Sequence, residues 1–304
     1  MEYKPKIFIS CIYKLEKESK QKLIKNEVIR KVKEAGFEPQ IFLESGIAQD
    51  RAWSFASLMD VLKRCDGAVI LGLSRWSPQT QSSDSQIPTE YNHYEGALAA
   101  SLNLPLLILS EEGIPDRGIF YNGGGFVYTS IPLTADRSWF DSDEYFVGRF
   151  NSWSRAVTNR YQVFLGYSGS ATPIANELIK FLTGRLNLKV KEYKTSFVQG
   201  GSILEEIENA CQNTQCGIFL FTADHLLQNE EDVPSTVNQA KPRDNVIFEA
   251  GYFIKAKGKE RVLIILEEGV EMPADIGGNI YLPLKMKSIE SIKADIQYFL
   301  EKRL

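Results

Sequence analysis

The chain has 304 residues, 43% of them hydrophobic and 24% charged, with a net charge of −4. That is the composition of a globular protein long enough for two domains, and it excludes a chain-wide positive field for holding nucleic acid. Its four cysteines, Cys11, Cys65, Cys211 and Cys216, form no CxxC pair, and with two histidines, His93 and His225, they exclude a structural zinc site.

The first element is an apolar strand, Lys6-Ile-Phe-Ile-Ser-Cys-Ile12. It is too short for a signal-peptide core or a membrane span, so a cytoplasmic location without membrane contact is expected. Leu23, Ile24, Val28, Ile29 and Val32 then recur at helical spacing, and Gly36 falls where the helix should stop. A strand over 38–43, a helix over 55–63 and a continuous apolar strand over 66–72 follow. After a long polar loop, 74–87, come Tyr94-Glu-Gly-Ala-Leu-Ala-Ala-Ser101 and a strand over 104–109. Residues 133–143 read as a polar loop, and 145–157 as a helix with aromatic anchors.

The same plan then repeats. A strand, Gln162-Val-Phe-Leu-Gly-Tyr-Ser168, precedes a helix marked by Ile174, Leu178, Ile179 and Leu182, which should stop near Asn187. A strand over 189–194, a helix over 203–210 and a buried strand over 216–222 come next. Phe248-Glu-Ala-Gly-Tyr-Phe-Ile-Lys255 then matches the segment from Tyr94, and a strand over 261–266 follows. Strand–helix alternation with apolar strands predicts an α/β chain of two tandem parallel sheets, each with helices on both faces. Alternation is generic to such domains. A glutamate behind an aromatic residue at the same place in each half, Glu95 and Glu249, is a more particular match.

Ligands of open parallel sheets sit beyond the carboxyl ends of the strands. There the second half places Gly166, Tyr167, Ser168 and Ser170, whose small residues and hydroxyls suit close backbone approach to a ligand. It also places a loop, Phe197-Val-Gln-Gly-Gly-Ser202, and a strand end, Thr222-Ala-Asp224-His225. Its most particular segment is Pro242-Arg-Asp-Asn-Val-Ile-Phe-Glu-Ala-Gly-Tyr-Phe253. With Val163-Phe-Leu-Gly, Gly200-Gly-Ser, Leu220-Phe-Thr-Ala-Asp224 and Lys257-Gly-Lys-Glu-Arg261 in order, this stretch resembles the predicted nucleotide-binding TIR-like domains of bacterial anti-phage effectors, over about residues 161–284.

The resemblance implies two tandem flavodoxin/TIR-like domains: a TIR-like, nucleotide-sensing domain over 1–145, a linker helix over 146–160, and a TIR-like NAD⁺-hydrolase domain over 161–304. It implies an NAD⁺ glycohydrolase with NAD⁺ as substrate and no cofactor, with Glu249 as catalytic carboxylate. It also implies activation by a cyclic nucleotide or other nucleotide signal, and a homo-oligomer or filament. Two rivals stand beside it: a producer of a cyclic ADP-ribose signal, and a non-enzymatic nucleotide-binding or scaffold module. Gly166, Tyr167, Ser168, Phe197, Asp224, Arg243 and Asn245 are the candidate substrate contacts. Competing roles are a structural ion pair between Glu249 and Arg243, a helix cap for Asn245, and core packing for Tyr167 and Phe197.

The first half keeps Glu95 but lacks the Arg-Asp-Asn block. It resembles, more loosely, TIR-like and nucleoside deoxyribosyltransferase-like domains, which implies a nucleotide sensor, a second glycosidase centred on Glu95, or an assembly module. Candidate signal contacts are Ser10, Tyr13, Trp76, Tyr91, His93 and Glu95.

Overall fold

The computed structural model describes every residue except 1–2, 14, 16–18, 45–46, 48–52, 76–85, 193–201, 227–239, 277 and 279–280, and the side chains of 203, 225 and 226. The chain divides into two compact units, one of Lys4–Asn159, the other of Arg160–Leu304 with Met1–Tyr3.

In the first unit the order is β1 (Lys6–Ser10), α1 (Lys20–Glu34), β2 (Glu38–Gln40), α2 (Phe55–Leu62), β3 (Gly67–Gly72), α3 (Glu90–Ser101), β4 (Leu106–Glu111), β5 (Val127–Ile131), α4 (Arg137–Ser142) and α5 (Glu144–Thr158). The strands form one parallel sheet in the order β2-β1-β3-β4-β5. Alternation along β1 divides the core. Ile7 and Ile9 pack with Val28, Val32 and Trp153 on one face, and Phe8 with Leu58, Leu62 and Ala99 on the other. Ser19 caps α1 by accepting from Lys22 N at 3.2 Å. Gly36 follows that helix at φ +83°, a left-handed conformation that favours glycine.

The second unit repeats the plan. Its elements are β6 (Val163–Gly166), α6 (Thr172–Lys180), β7 (Val190–Glu192), α7 (Ile203–Gln212), β8 (Cys216–Phe221), a hairpin of β9 (His225–Leu226) and β10 (Ala240–Lys241), α8 (Asp244–Lys257), β11 (Val262–Glu267), β12 (Tyr281–Leu284) and α9 (Lys293–Arg303). Its sheet runs β7-β6-β8-β11-β12, all parallel. This is the same order as in the first unit. Val163 and Leu165 face α6 and α9, while Phe164 faces α7 and α8. Both sheets reverse their winding between the first and third strands of the unit, the place where such sheets bind ligands.

Three expectations are corrected. The helix expected as a linker is α5, and it belongs to the first unit: Phe146, Phe150, Trp153 and Val157 are buried in that core, and Trp153 Nε1 donates to Pro105 O at 3.0 Å. The stretch expected as loop contains α4, started by Asp136 accepting from Trp139 N at 3.0 Å. A fifth strand closes each sheet at the edge, β5 and β12, neither of them expected. Among the described residues no helix is long and apolar enough to cross a membrane.

Candidate active site

The helix α8 turns Val246, Glu249, Ala250 and Phe253 inward at positions i, i+3, i+4 and i+7. A carboxylate thus occupies the apolar stripe. Glu249 is 4% exposed, and its Oε2 has no hydrogen-bond partner among the described residues. No ion pair reaches it among those residues, which removes the structural pairing with Arg243. Arg243 instead stands exposed at the N-terminal boundary of α8. Burial alone pushes the Glu249 carboxyl from its ordinary 4.5 up to about 7.

The partner surface of Glu249 is the end of β6. A Cβ on Gly166 would lie 2.9 Å from Glu249 Oε2 and 2.4 Å from the Phe219 ring, so only glycine lets the carboxylate and that ring approach the strand. Next to it, the buried Ser168 Oγ lies 2.8 Å from Ser170 Oγ and 3.4 Å from Thr222 Oγ1. Asp224, half-buried, accepts from Thr222 Oγ1 at 3.4 Å and from the Ser170 hydroxyl. The carboxyl ends of β6 and β8 therefore share a hydroxyl–carboxylate network at the switch in winding.

Two expected contacts lie elsewhere. Tyr167 packs its ring with Val163 and Leu165 on the sheet face opposite α8, and its hydroxyl donates to Glu192 Oε2 at 2.7 Å. The alternation of β6 explains this, since Val163, Leu165 and Tyr167 share a face. Asn245 does not cap α8; the N-cap is Arg243, without a side-chain cap bond, and Asn245 is exposed in the first turn. Phe197 falls outside the described residues.

In the first unit Glu95 sits on α3, 6% exposed. Its Oε1 accepts from Trp53 Nε1 at 2.9 Å, and the Ser10 hydroxyl, which itself accepts from Asn92 Nδ2 at 2.7 Å, also bonds it. Burial raises its carboxyl to about 7, and the Ser10 and Trp53 bonds partly offset the rise. Glu95 opens on a cavity of about 560 Å³, lined also by Tyr13, Trp53, Arg75 and Tyr91. His93 is corrected as a contact. Its Nδ1 accepts from Ile119 N at 3.3 Å, its ring stands edge-on to Phe120, and burial, then Arg117, lowers its basicity. It does not line the cavity. Trp76 lies outside the described residues. No local sequence pattern ties Trp53 to Glu95 or Asn92 to Ser10, which lie 42 and 82 residues apart. Among the described residues no cluster suited to a metal ion exists.

Residues 162–286 match the family model described as CAP12/Pycsar effector protein, TIR domain. The CD-NTase-associated protein 12 of Sphingobacterium faecium is 28% identical over 117 residues, 38% of this chain and 34% of that protein. Protein tirC of Dictyostelium discoideum is 29% identical over 90 residues, 27% of this chain and 45% of that protein. The chain thus spans less than half the length of these relatives. The crystal structure of the TIR domain of the Toll-related receptor TRR-2 of Hydra magnipapillata aligns with 15% identity and a TM-score of 0.34, over 45% of this chain and 95% of that one. From the matched residues and the sheet that carries them, the second half of this chain is a TIR-like domain of the bacterial anti-phage effector kind.

Proposed function

We propose that the second domain hydrolyses the bond between nicotinamide and ribose in NAD⁺. In this reading a nucleotide signal received by the first domain, together with self-assembly, switches the activity on as part of anti-phage defence. The observation that carries the reading is the unanswered carboxylate oxygen of Glu249 beside Gly166, at the point where the sheet reverses its winding.

The chemistry asks little of the protein beyond such a group. Nicotinamide in NAD⁺ is a cationic leaving group and departs with the bonding electron pair without being protonated. Positive charge builds on the ribose, as in glycoside hydrolysis, and water then adds at the anomeric carbon and loses a proton to solvent. A buried carboxylate held against the strand end stabilises that charge without reorganising. Burial raises the Glu249 carboxyl to about 7, and an incoming cation favours its ionised form. The network of Ser168, Thr222 and Asp224 supplies hydroxyl and carboxylate groups for the ribose hydroxyls on the same rim.

The test is nicotinamide release by the purified full chain, with and without a panel of cyclic nucleotides, for wild type and Glu249→Gln. Release by wild type and a loss of about a hundred- to a thousand-fold in the variant support the reading. Full activity in a folded variant overturns the assignment. Mass spectrometry of the product distinguishes linear ADP-ribose from a cyclised product.

A further inference from the structure

The cavity beside Glu95 has about 560 Å³, within the size range of small-molecule sites, and lies where the first sheet reverses its winding. Its walls are largely apolar and aromatic. Trp53 and Tyr91 meet edge to face with centroids 4.7 Å apart, and Tyr13 and Tyr91 are each about half exposed, at 47% and 45%. Among the described residues lining it, Glu95 is the one carboxylate and Arg75 the one cation. Lys25 is buried close by, but its ammonium donates to Ile12 O at 3.0 Å and to the Glu44 carboxylate, so its charge is answered within the protein.

Among the described lining residues this balance disfavours a polyanion in the interior, where phosphates would meet the buried Glu95 with one exposed guanidinium, that of Arg75, to offset them. It selects for hydroxyl donors. An ionised carboxylate has about four acceptor sites, and Trp53 and Ser10 engage only part of them. Planar rings suit the aromatic wall. The geometry points to this cavity as a nucleoside site: a heterocycle among Tyr13, Trp53 and Tyr91, sugar hydroxyls donating to Glu95, and any single phosphate turned outward to Arg75. The inference rests on the reading that the first domain receives a nucleotide signal, and it narrows the recognised part to the uncharged nucleoside end.

Calorimetry on the full chain tests it, with adenosine, guanosine, cytidine and uridine, their 5′-monophosphates, and cyclic di-adenylate as the polyanionic probe. At least one nucleoside is expected to bind, with its monophosphate within about tenfold, because phosphate adds one peripheral charge contact. Glu95→Gln should weaken that binding about tenfold or more, by removing a charge-assisted acceptor. Tyr91→Ala should weaken it about three- to tenfold. Tyr91 is exposed on the helix surface, so its truncation guards against a folding artefact in the Glu95 variant.

No heat from any nucleoside or monophosphate would overturn the inference, and so would binding that both variants leave unchanged. Binding of cyclic di-adenylate alone would overturn it as well. Nicotinamide release on the same samples separates the two claims. Nucleoside binding without turnover of NAD⁺ sinks the proposed function and keeps the site, whereas Glu249-dependent turnover without nucleoside binding does the reverse.

Discussion

Glu95 on α3 and Glu249 on α8 stand at matching places in two units with the same strand order, and their surroundings differ at the end of the first strand. Ser10 pairs with Ile70 in the first sheet, and Gly166 pairs with Phe219 at the matching place in the second. In the first domain the strand end carries a hydroxyl that bonds the carboxylate, and Trp53 supplies a second donor. In the second it carries no side chain, a phenylalanine ring fills the space beneath, and one carboxylate oxygen is left unanswered. Both groups are raised to about 7, one against two restoring bonds and the other by burial alone. A carboxylate already held by donors is suited to recognising a ligand. One held against apolar surface with an oxygen unmet is suited to answering a positive charge that arrives with a substrate.

The largest expected effect in testing that contrast is loss of the proposed NAD⁺ cleavage in Glu249→Gln, about a hundred- to a thousand-fold. The same variant should gain stability. The folded carboxyl titrates near 7 against an ordinary 4.5, so the folded state retains its proton where the unfolded state has lost it. Wild-type stability from this group is complete below about pH 4.5 and falls as pH rises through 7, by up to about 3 kcal/mol. Glu249→Gln mimics the protonated form and should escape that fall. Melting curves at pH 4.5 and pH 8 check this: the variant should match wild type at the lower pH and exceed it at the higher. Equal differences at both pH values would contradict the burial of an unanswered charge.

Catalysis should follow the same group with the opposite sign. Under the proposed function the ionised carboxylate is the active form, so kcat/KM should rise through about pH 7. The bound pyridinium favours ionisation, so kcat should rise at lower pH than kcat/KM. Coincident profiles would place the essential ionisation on another group.

Gly166→Ser exchanges one strand end for the other and should act next in size. The added Cβ meets the Phe219 ring at 2.4 Å, and the fold should lose about 1–3 kcal/mol. The double variant Gly166→Ser with Phe219→Ile copies the first domain's pair and should recover part of that stability. Its nicotinamide release should remain about tenfold or more below wild type, because the serine hydroxyl now answers the carboxylate. Recovery of activity together with stability would show that the bare strand end matters only for packing.

Much of this was legible in the sequence. The continuous apolar runs of β3 and β8 mark central strands, Gly36 and Asn187 mark helix ends in left-handed backbone, and the block around Glu249 marks its helix. The edge strands were not legible. β5 reads Val-Tyr-Thr-Ser-Ile, a mixed run with no continuous apolar stretch, in which Thr129 is buried and Ser130 exposed, and β12 contains Pro283, tolerable only where no neighbour needs its N–H. The amphipathic pattern of α5 showed that it has an apolar face without showing which sheet receives it. The dressing of Glu95 was equally hidden, because Trp53 lies 42 residues from Glu95 and Asn92 lies 82 from Ser10. Tyr167 misled because its position after the strand suggests a rim, whereas the two-residue alternation continues past the last ladder pair and turns the ring inward.

The smallest effect expected is that of Ser10→Ala, and it tests the first domain's side of the contrast. Removing the hydroxyl leaves the Asn92 amide without that acceptor and takes one donor from Glu95. Loss of a typical internal hydrogen bond costs about 1 kcal/mol, and this should appear at every pH. A further increment should appear only above neutrality. Without the serine donor the ionised form of Glu95 is less favoured, its carboxyl moves above 7, and the folded state keeps its proton to higher pH. Stability should therefore fall more at pH 8 than at pH 5, where both wild type and variant are protonated in the folded state. Melting curves at those two values measure the increment directly. A pH-independent loss would mean that Ser10 serves Asn92 alone, and that Glu95 is as unanswered on that side as Glu249.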